Sequence, residues 1–112
     1  MIKKFFFNFI NSLNGLKVVF REHSFIAEIM GGIILIPYVL FSELTILFKL
    51  LIISLYLLLL AFEIVNTAIE KLCDKITKEI DADIKIIKDL ASASVFIVLL
   101  ILITLIIFSF FN

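Results

Sequence analysis

Glu63, Asn66, Glu70 and Asp74 recur every three or four residues through LLLLAFEIVNTAIEKLCDK. At about 100° per residue of helix they fall within an arc of about 80°, so all four can act on one ligand. Carboxylates and an amide pointing one way suit magnesium and the phosphates it carries. Further along, KIIKDLASASV places Lys85, Lys88 and Ser92 within about 60° of one another, with Asp89 adjacent. Moving a phosphoryl group from ATP to a hydroxyl needs oxygen ligands for magnesium, a cation along the phosphates, and a carboxylate to orient or deprotonate the alcohol. All of these are present. A GxxxxGK[ST] loop and a kinase-type Gly-rich loop are not, since the only glycines are Gly15, Gly31 and Gly32, so any nucleotide must be held by helices.

The elements that must position these residues are membrane helices. Hydrophobic residues make up 63% of the chain, charged residues 18%, and mean hydropathy is +1.26, a composition foreign to soluble domains. Apolar stretches run from Phe25 to Phe41, broken by Glu28 and holding Pro37; from Leu44 to Phe62, broken by Lys49; and from Val95 to Phe111, without a charge. Each approaches the roughly 20 residues that cross about 30 Å of hydrocarbon as helix. Strands are excluded because the runs lack polar alternation and a short lone barrel could not close. The expected fold is an all-α membrane protein forming one domain over 1–112, with transmembrane helices at about 25–42, 44–73 and 86–111. The second helix, at roughly 45 Å, outruns the hydrocarbon, which leaves Glu63 at the lipid boundary and Glu70 and Asp74 in the wet layer.

Residues 1–21 read as an amphipathic surface helix. Ile2, Phe6, Phe9, Leu13, Leu16 and Phe20 share roughly 80° of the helical wheel, and Lys3, Lys4, Asn8, Lys17 and Arg21 lie on the remainder. No compact apolar core with a small-residue cleavage site marks it as a signal peptide. Lys3, Lys4, Lys17 and Arg21 precede the first span, and Lys71, Lys75, Lys78, Lys85 and Lys88 lie between the second and third. Basic residues mark the cytoplasmic side, so the N-terminus and the acidic cluster are expected there, with Lys49 snorkelling to the outer interface. Ten basic residues balance ten acidic ones, and nothing in that balance invokes nucleic acid. So short a chain can hardly enclose a polar site alone, which predicts an oligomer.

The stretch EIVNTAIEKLCDKI, followed after a short loop by IKDLASASV, resembles the signature of the small bacterial integral-membrane diacylglycerol kinases and the related undecaprenol kinases. An acidic motif similar to REHSFIAE precedes the first span in that family, and the likeness covers nearly the whole chain. The resemblance implies an ATP-dependent kinase of the bacterial inner membrane. It would be a multi-pass homotrimer with a cytoplasmic active site between subunits, converting diacylglycerol to phosphatidic acid with Mg2+, or acting on undecaprenol. It further implies that Glu63 is the catalytic base and that Asn66 supports it, while Glu22 and Glu70 hold the metal and present the nucleotide. Lys88 would contact phosphate and Asp89 the nucleotide side, with Asp74, Glu28 and Ser92 around the site and Lys4 near the nucleotide. Ile26 stands where many members have arginine, and Leu13 and Phe20 stand in the region of the family's interfacial tryptophans.

Other residues carry blander readings. His23, beside charged neighbours in a turn, suits solvent better than a proton relay. FFFNF suits a membrane-facing surface, and DADIK a loop and helix start capped by Asp81 or Asp83. Cys73, the single cysteine, excludes an intrachain disulfide and suits a plain apolar helix position. A non-enzymatic small membrane subunit that conducts or binds ions is the rival function. It would be expected to place polar groups deeper, whereas the third span offers only Thr104 and Ser109.

Overall fold

A computed structural model describes residues 1–111, and among them the fold is four helices without a strand. Helix α1 covers Ile2–Val19, α2 His23–Phe41, α3 Ile46–Ile76 and α4 Ala82–Ser109. The last three are long and apolar enough to cross a membrane. At 31 residues α3 measures about 46 Å at the helical rise, half as long again as the hydrocarbon. About twenty residues from Ile46 reach Val65, so the turns carrying Glu70 and Asp74 stand clear of the lipid tails.

Local chemistry sets the boundaries. The side chain of Thr45 accepts from the Phe48 amide at 3.2 Å, opening α3. Asp81 accepts from the amides of Asp83 and Ile84 at 2.9 and 3.0 Å. That cap starts α4 at Ala82, a turn earlier than the expected 86, because one carboxylate satisfies two otherwise orphaned N–H groups. Lys49 reaches back to donate to the Leu40 carbonyl at 3.1 Å, closing the last turn of α2 at the end of the bundle remote from the acidic cluster. Pro37 is accommodated within α2.

Helix α3 is central, packing against both α2 and α4. Val39, Ile52, Tyr56, Leu59, Val98 and Leu102 form the buried core where the three meet. Large apolar side chains elsewhere point outward along every helix, Ile34, Leu47, Phe96 and Phe108 among them. That distribution suits lipid as the surrounding medium, since tails are as apolar as leucine. Hydroxyl groups in the spans find partners, as burial in an apolar medium demands. Tyr38 and Ser109 share a hydrogen bond of 2.8 Å, and Tyr56 donates to the Glu28 carbonyl at 2.9 Å.

Gly32 is what lets Tyr56 reach that carbonyl. A Cβ at Gly32 would collide with the Tyr56 hydroxyl and ring, whereas one at neighbouring Gly31 meets no atom within 4 Å. Gly32→Ala should therefore destabilise the bundle by about 1–3 kcal/mol through overpacking, while Gly31→Ala costs nothing comparable. Equal thermal unfolding midpoints for the two variants in detergent would show that α2 and α3 do not depend on this close approach.

Candidate functional site

The acidic face of α3 runs from a buried end to a wet one. Glu63 and Asn66 are only 6% and 8% exposed, with Thr67 buried beside them. Glu70 and Asp74, one and two turns further on, are exposed. The Asn66 side-chain amide donates to Glu70 Oε1 at 2.9 Å, tying the buried half of the ladder to the exposed half. The other polar atom of that amide, Asn66 Oδ1, is buried without a partner. An unsatisfied buried acceptor is costly and is best explained by a ligand or a neighbouring group that completes it.

Three contacts bring other elements to this face. Lys88 of α4 donates to Asp74 at 2.7 Å, which sets a cation across from the carboxylates. The Lys88 ammonium holds the Asp74 carboxyl below its ordinary range, and this pair lies at helix ends beyond the hydrocarbon. Glu22, in the turn between α1 and α2, pairs with Lys71 of α3 at 3.3 Å, directly after Glu70 in sequence. Glu28, one turn into α2, brings its carboxyl beside that of Glu63, and one Glu28 oxygen is buried without a partner.

Not every expected residue joins the group. Asp89 turns along its own helix to accept from Lys85 at 2.7 Å, the natural partner at i,i+4 spacing. Lys85 is thereby drawn away from the α3 carboxylates, leaving Lys88 as the α4 cation that meets them. Ser92 is exposed. Lys4 lies about 16 Å back along α1 from Gly15, the first residue of α1 to line the cleft against α3. Among the described residues it makes no ion pair. His23 and the Phe-rich start are exposed, and Cys73 is buried and free.

Sequence reasoning missed Tyr56 and Thr67. A lone phenol inside a leucine run was the available signal for Tyr56, because such a hydroxyl must find a partner. Thr67 neighbours Asn66 in sequence, but nothing in the pattern distinguishes it from an ordinary helix threonine.

Chemically the arrangement offers a buried carboxyl with a half-buried one beside it at one end, and solvent-accessible carboxylates with a lysine at the other. Among the described residues no three or more His, Cys, Asp or Glu are grouped to hold a metal by themselves. Magnesium does not require such a cage, since one or two carboxylates with substrate phosphates and water suffice. Lys71, the residue after Glu70, holds Glu22 against α3, while Glu70 accepts from Asn66. The family model described as prokaryotic diacylglycerol kinase matches residues 10–110. Comparison with curated proteins returned no match.

Proposed function

The chain belongs to the prokaryotic diacylglycerol kinase family, and from that membership we propose that it transfers the γ-phosphoryl group of ATP to the hydroxyl of diacylglycerol, giving phosphatidic acid. The observation that carries this reading is the ladder on α3, which links a buried carboxyl at the lipid boundary to exposed carboxylates and a lysine in the wet layer. A lipid hydroxyl and a water-borne nucleotide can meet only at such a boundary. Glu63 takes the proton of the lipid hydroxyl as its oxygen attacks the γ-phosphorus, and the bond from that phosphorus to the bridging oxygen of ADP breaks. Asn66 positions the site between Glu63 and Glu70. Lys88 exchanges its contact with Asp74 for the nucleotide phosphates and offsets their charge. Glu22 and Glu70 would hold Mg2+, which when bound neutralises the β- and γ-phosphate oxygens.

The basic residues around α1 and the turn between α3 and α4 favour a cytoplasmic site in the bacterial inner membrane. The apolar side of α1 would lie on that surface. Purified protein in mixed micelles, given labelled ATP and each lipid in turn, tests the assignment. Phosphorylation of diacylglycerol above undecaprenol is expected. Label in undecaprenol instead would transfer the reading to that acceptor, and label in neither would overturn it.

We further propose a homotrimer with sites shared between chains. Asp89 supports this, because it is exposed and pairs with Lys85 of its own helix and not with α3, so it can be offered to a neighbour's site. Mixing inactive Glu63→Gln and Asp89→Asn chains in equal amounts should restore about one quarter of wild-type activity, since each of the two contributing chains is intact half the time. Mixed oligomers without any recovered turnover would confine Asp89 and Glu63 to the same chain's site.

A further inference from the structure

Helix α3 meets Glu28 at two points. The Tyr56 hydroxyl donates to its backbone carbonyl at 2.9 Å, and the Glu63 carboxyl lies beside its side chain. Tyr56 and Glu63 are two turns and roughly 10 Å apart on one face of α3, with Leu59 buried between them. Chain direction lets both contacts fit one residue. Helices α2 and α3 are joined only by residues 42–45 and run antiparallel. In a helix the carbonyl points to the C-terminal end and the side chain leans to the N-terminal end. Tyr56 therefore grips Glu28 from the end remote from the acidic cluster, and Glu63 meets it from the cluster side.

Stability alone does not call for this contact. The Glu28 carbonyl already has a donor within its own helix, the Gly32 amide at i+4. A phenylalanine in place of Tyr56 would fill the same space without a hydroxyl that burial penalises unless it is bonded. An alanine in place of Gly32 would suit the helix better. Instead a phenol only 5% exposed and a glycine with no room for a Cβ meet at this carbonyl. What the two secure is the place of one residue. The carbonyl belongs to Glu28 itself, so holding it holds the Cα from which the carboxyl projects. Glu28 is the only carboxylate in α2, and no other residue of that helix could stand in for it beside Glu63.

We propose that Tyr56 is a positioning residue: its hydroxyl, received in the gap at Gly32, fixes the α2 turn that sets the Glu28 carboxyl beside Glu63. The inference rests on the lipid-kinase reading for what the two carboxyls then do, since Glu28 orients the base that takes the proton of the acceptor hydroxyl. Tyr56 touches no reacting atom. Its effect reaches the chemistry through Glu28, and misplacement by about 1 Å at such a point costs about a hundredfold in rate.

Two measurements on the full chain in lipid bilayers test this with Tyr56→Phe, which removes only the hydroxyl. One needs no substrate. Solid-state NMR with glutamates isotope-labelled at the carboxyl carbon should give a through-space cross-peak between Glu28 and Glu63, identified by its loss in Glu28→Gln. In Tyr56→Phe that peak should weaken severalfold while the thermal unfolding midpoint stays within a few degrees of wild type. Gly32→Ala, which strikes the phenol from the α2 side, should weaken it as well. The other measurement is steady-state kinetics, in which Tyr56→Phe should lower turnover about tenfold to a hundredfold and move the KM for ATP by less than about twofold. An undiminished cross-peak in either folded variant, or none in the wild-type chain, overturns the proposal. So does Tyr56→Phe with turnover near wild type, or with a lowered midpoint and a raised KM for ATP, as general loosening of the bundle would give. Because the cross-peak is read without phosphoryl transfer, a chain that loses it in Tyr56→Phe yet phosphorylates no lipid keeps the positioning role and overturns the kinase reading alone.

Discussion

Glu63→Gln should lower turnover by about two to four orders of magnitude, the range associated with loss of a general base. Nucleotide affinity should change little. Glutamine preserves the length and planarity of the side chain, so the buried position, only 6% exposed, remains filled. What it loses is the capacity to accept a proton from an alcohol arriving along the bilayer. The nucleotide would be held a turn and more away by Glu70, Lys88 and their neighbours, so binding and chemistry separate along the helix. Steady-state kinetics with ATP and lipid varied independently distinguish the alternatives. A large rise in the ATP requirement with turnover near wild type would make Glu63 a nucleotide or metal ligand. Asp89 would then be the next candidate base.

The shared face of Glu63, Asn66, Glu70 and Asp74 on α3 was legible from spacing alone, because the 3.6-residue period fixes which side chains share a face however the helix packs. The three spans were legible for a similar reason, since hydrocarbon thickness sets a length that apolar runs must meet. Helix ends were less so. Asp81 and Asp83 both suited a cap, and only the backbone geometry selected Asp81, which moved the start of α4 to Ala82.

Relations between helices lay beyond the pattern. Glu28 and Glu63 are separated by a whole helical hairpin, and their meeting depends on how closely α2 approaches α3. Gly32 and Tyr56 set that approach, yet neither carries a charge or a recognisable motif. Lys85 and Asp89 illustrate the converse. Helical phase placed both near the site, but their i,i+4 spacing offers a partner on the same helix without any tertiary contact. Lys88 has no such partner in reach among the described residues and crosses to Asp74.

Glu70→Gln provides the sharpest test of how the metal would be held. The change removes a negative charge from an exposed position while keeping an oxygen that can still accept from the Asn66 amide, so the local hydrogen bond survives. Magnesium gains far more from a carboxylate than from an amide, and with only two protein carboxylates proposed, losing one removes half the protein's charge on the ion. Activity at fixed magnesium should fall at least about a hundredfold, as for loss of one electrostatic contact to the transferring group. The magnesium concentration giving half-maximal rate should rise, and excess magnesium should recover part of the loss. Glu22→Gln should act in the same direction, with a further penalty because it also weakens the pair with Lys71 that holds the α1–α2 turn against α3. An unchanged magnesium midpoint and normal turnover in Glu70→Gln would remove Glu70 from the metal site. A large fall in turnover with an unchanged midpoint would instead place its charge on the reacting phosphoryl group, making Asn66 the link between two chemical residues and not between a base and a metal ligand.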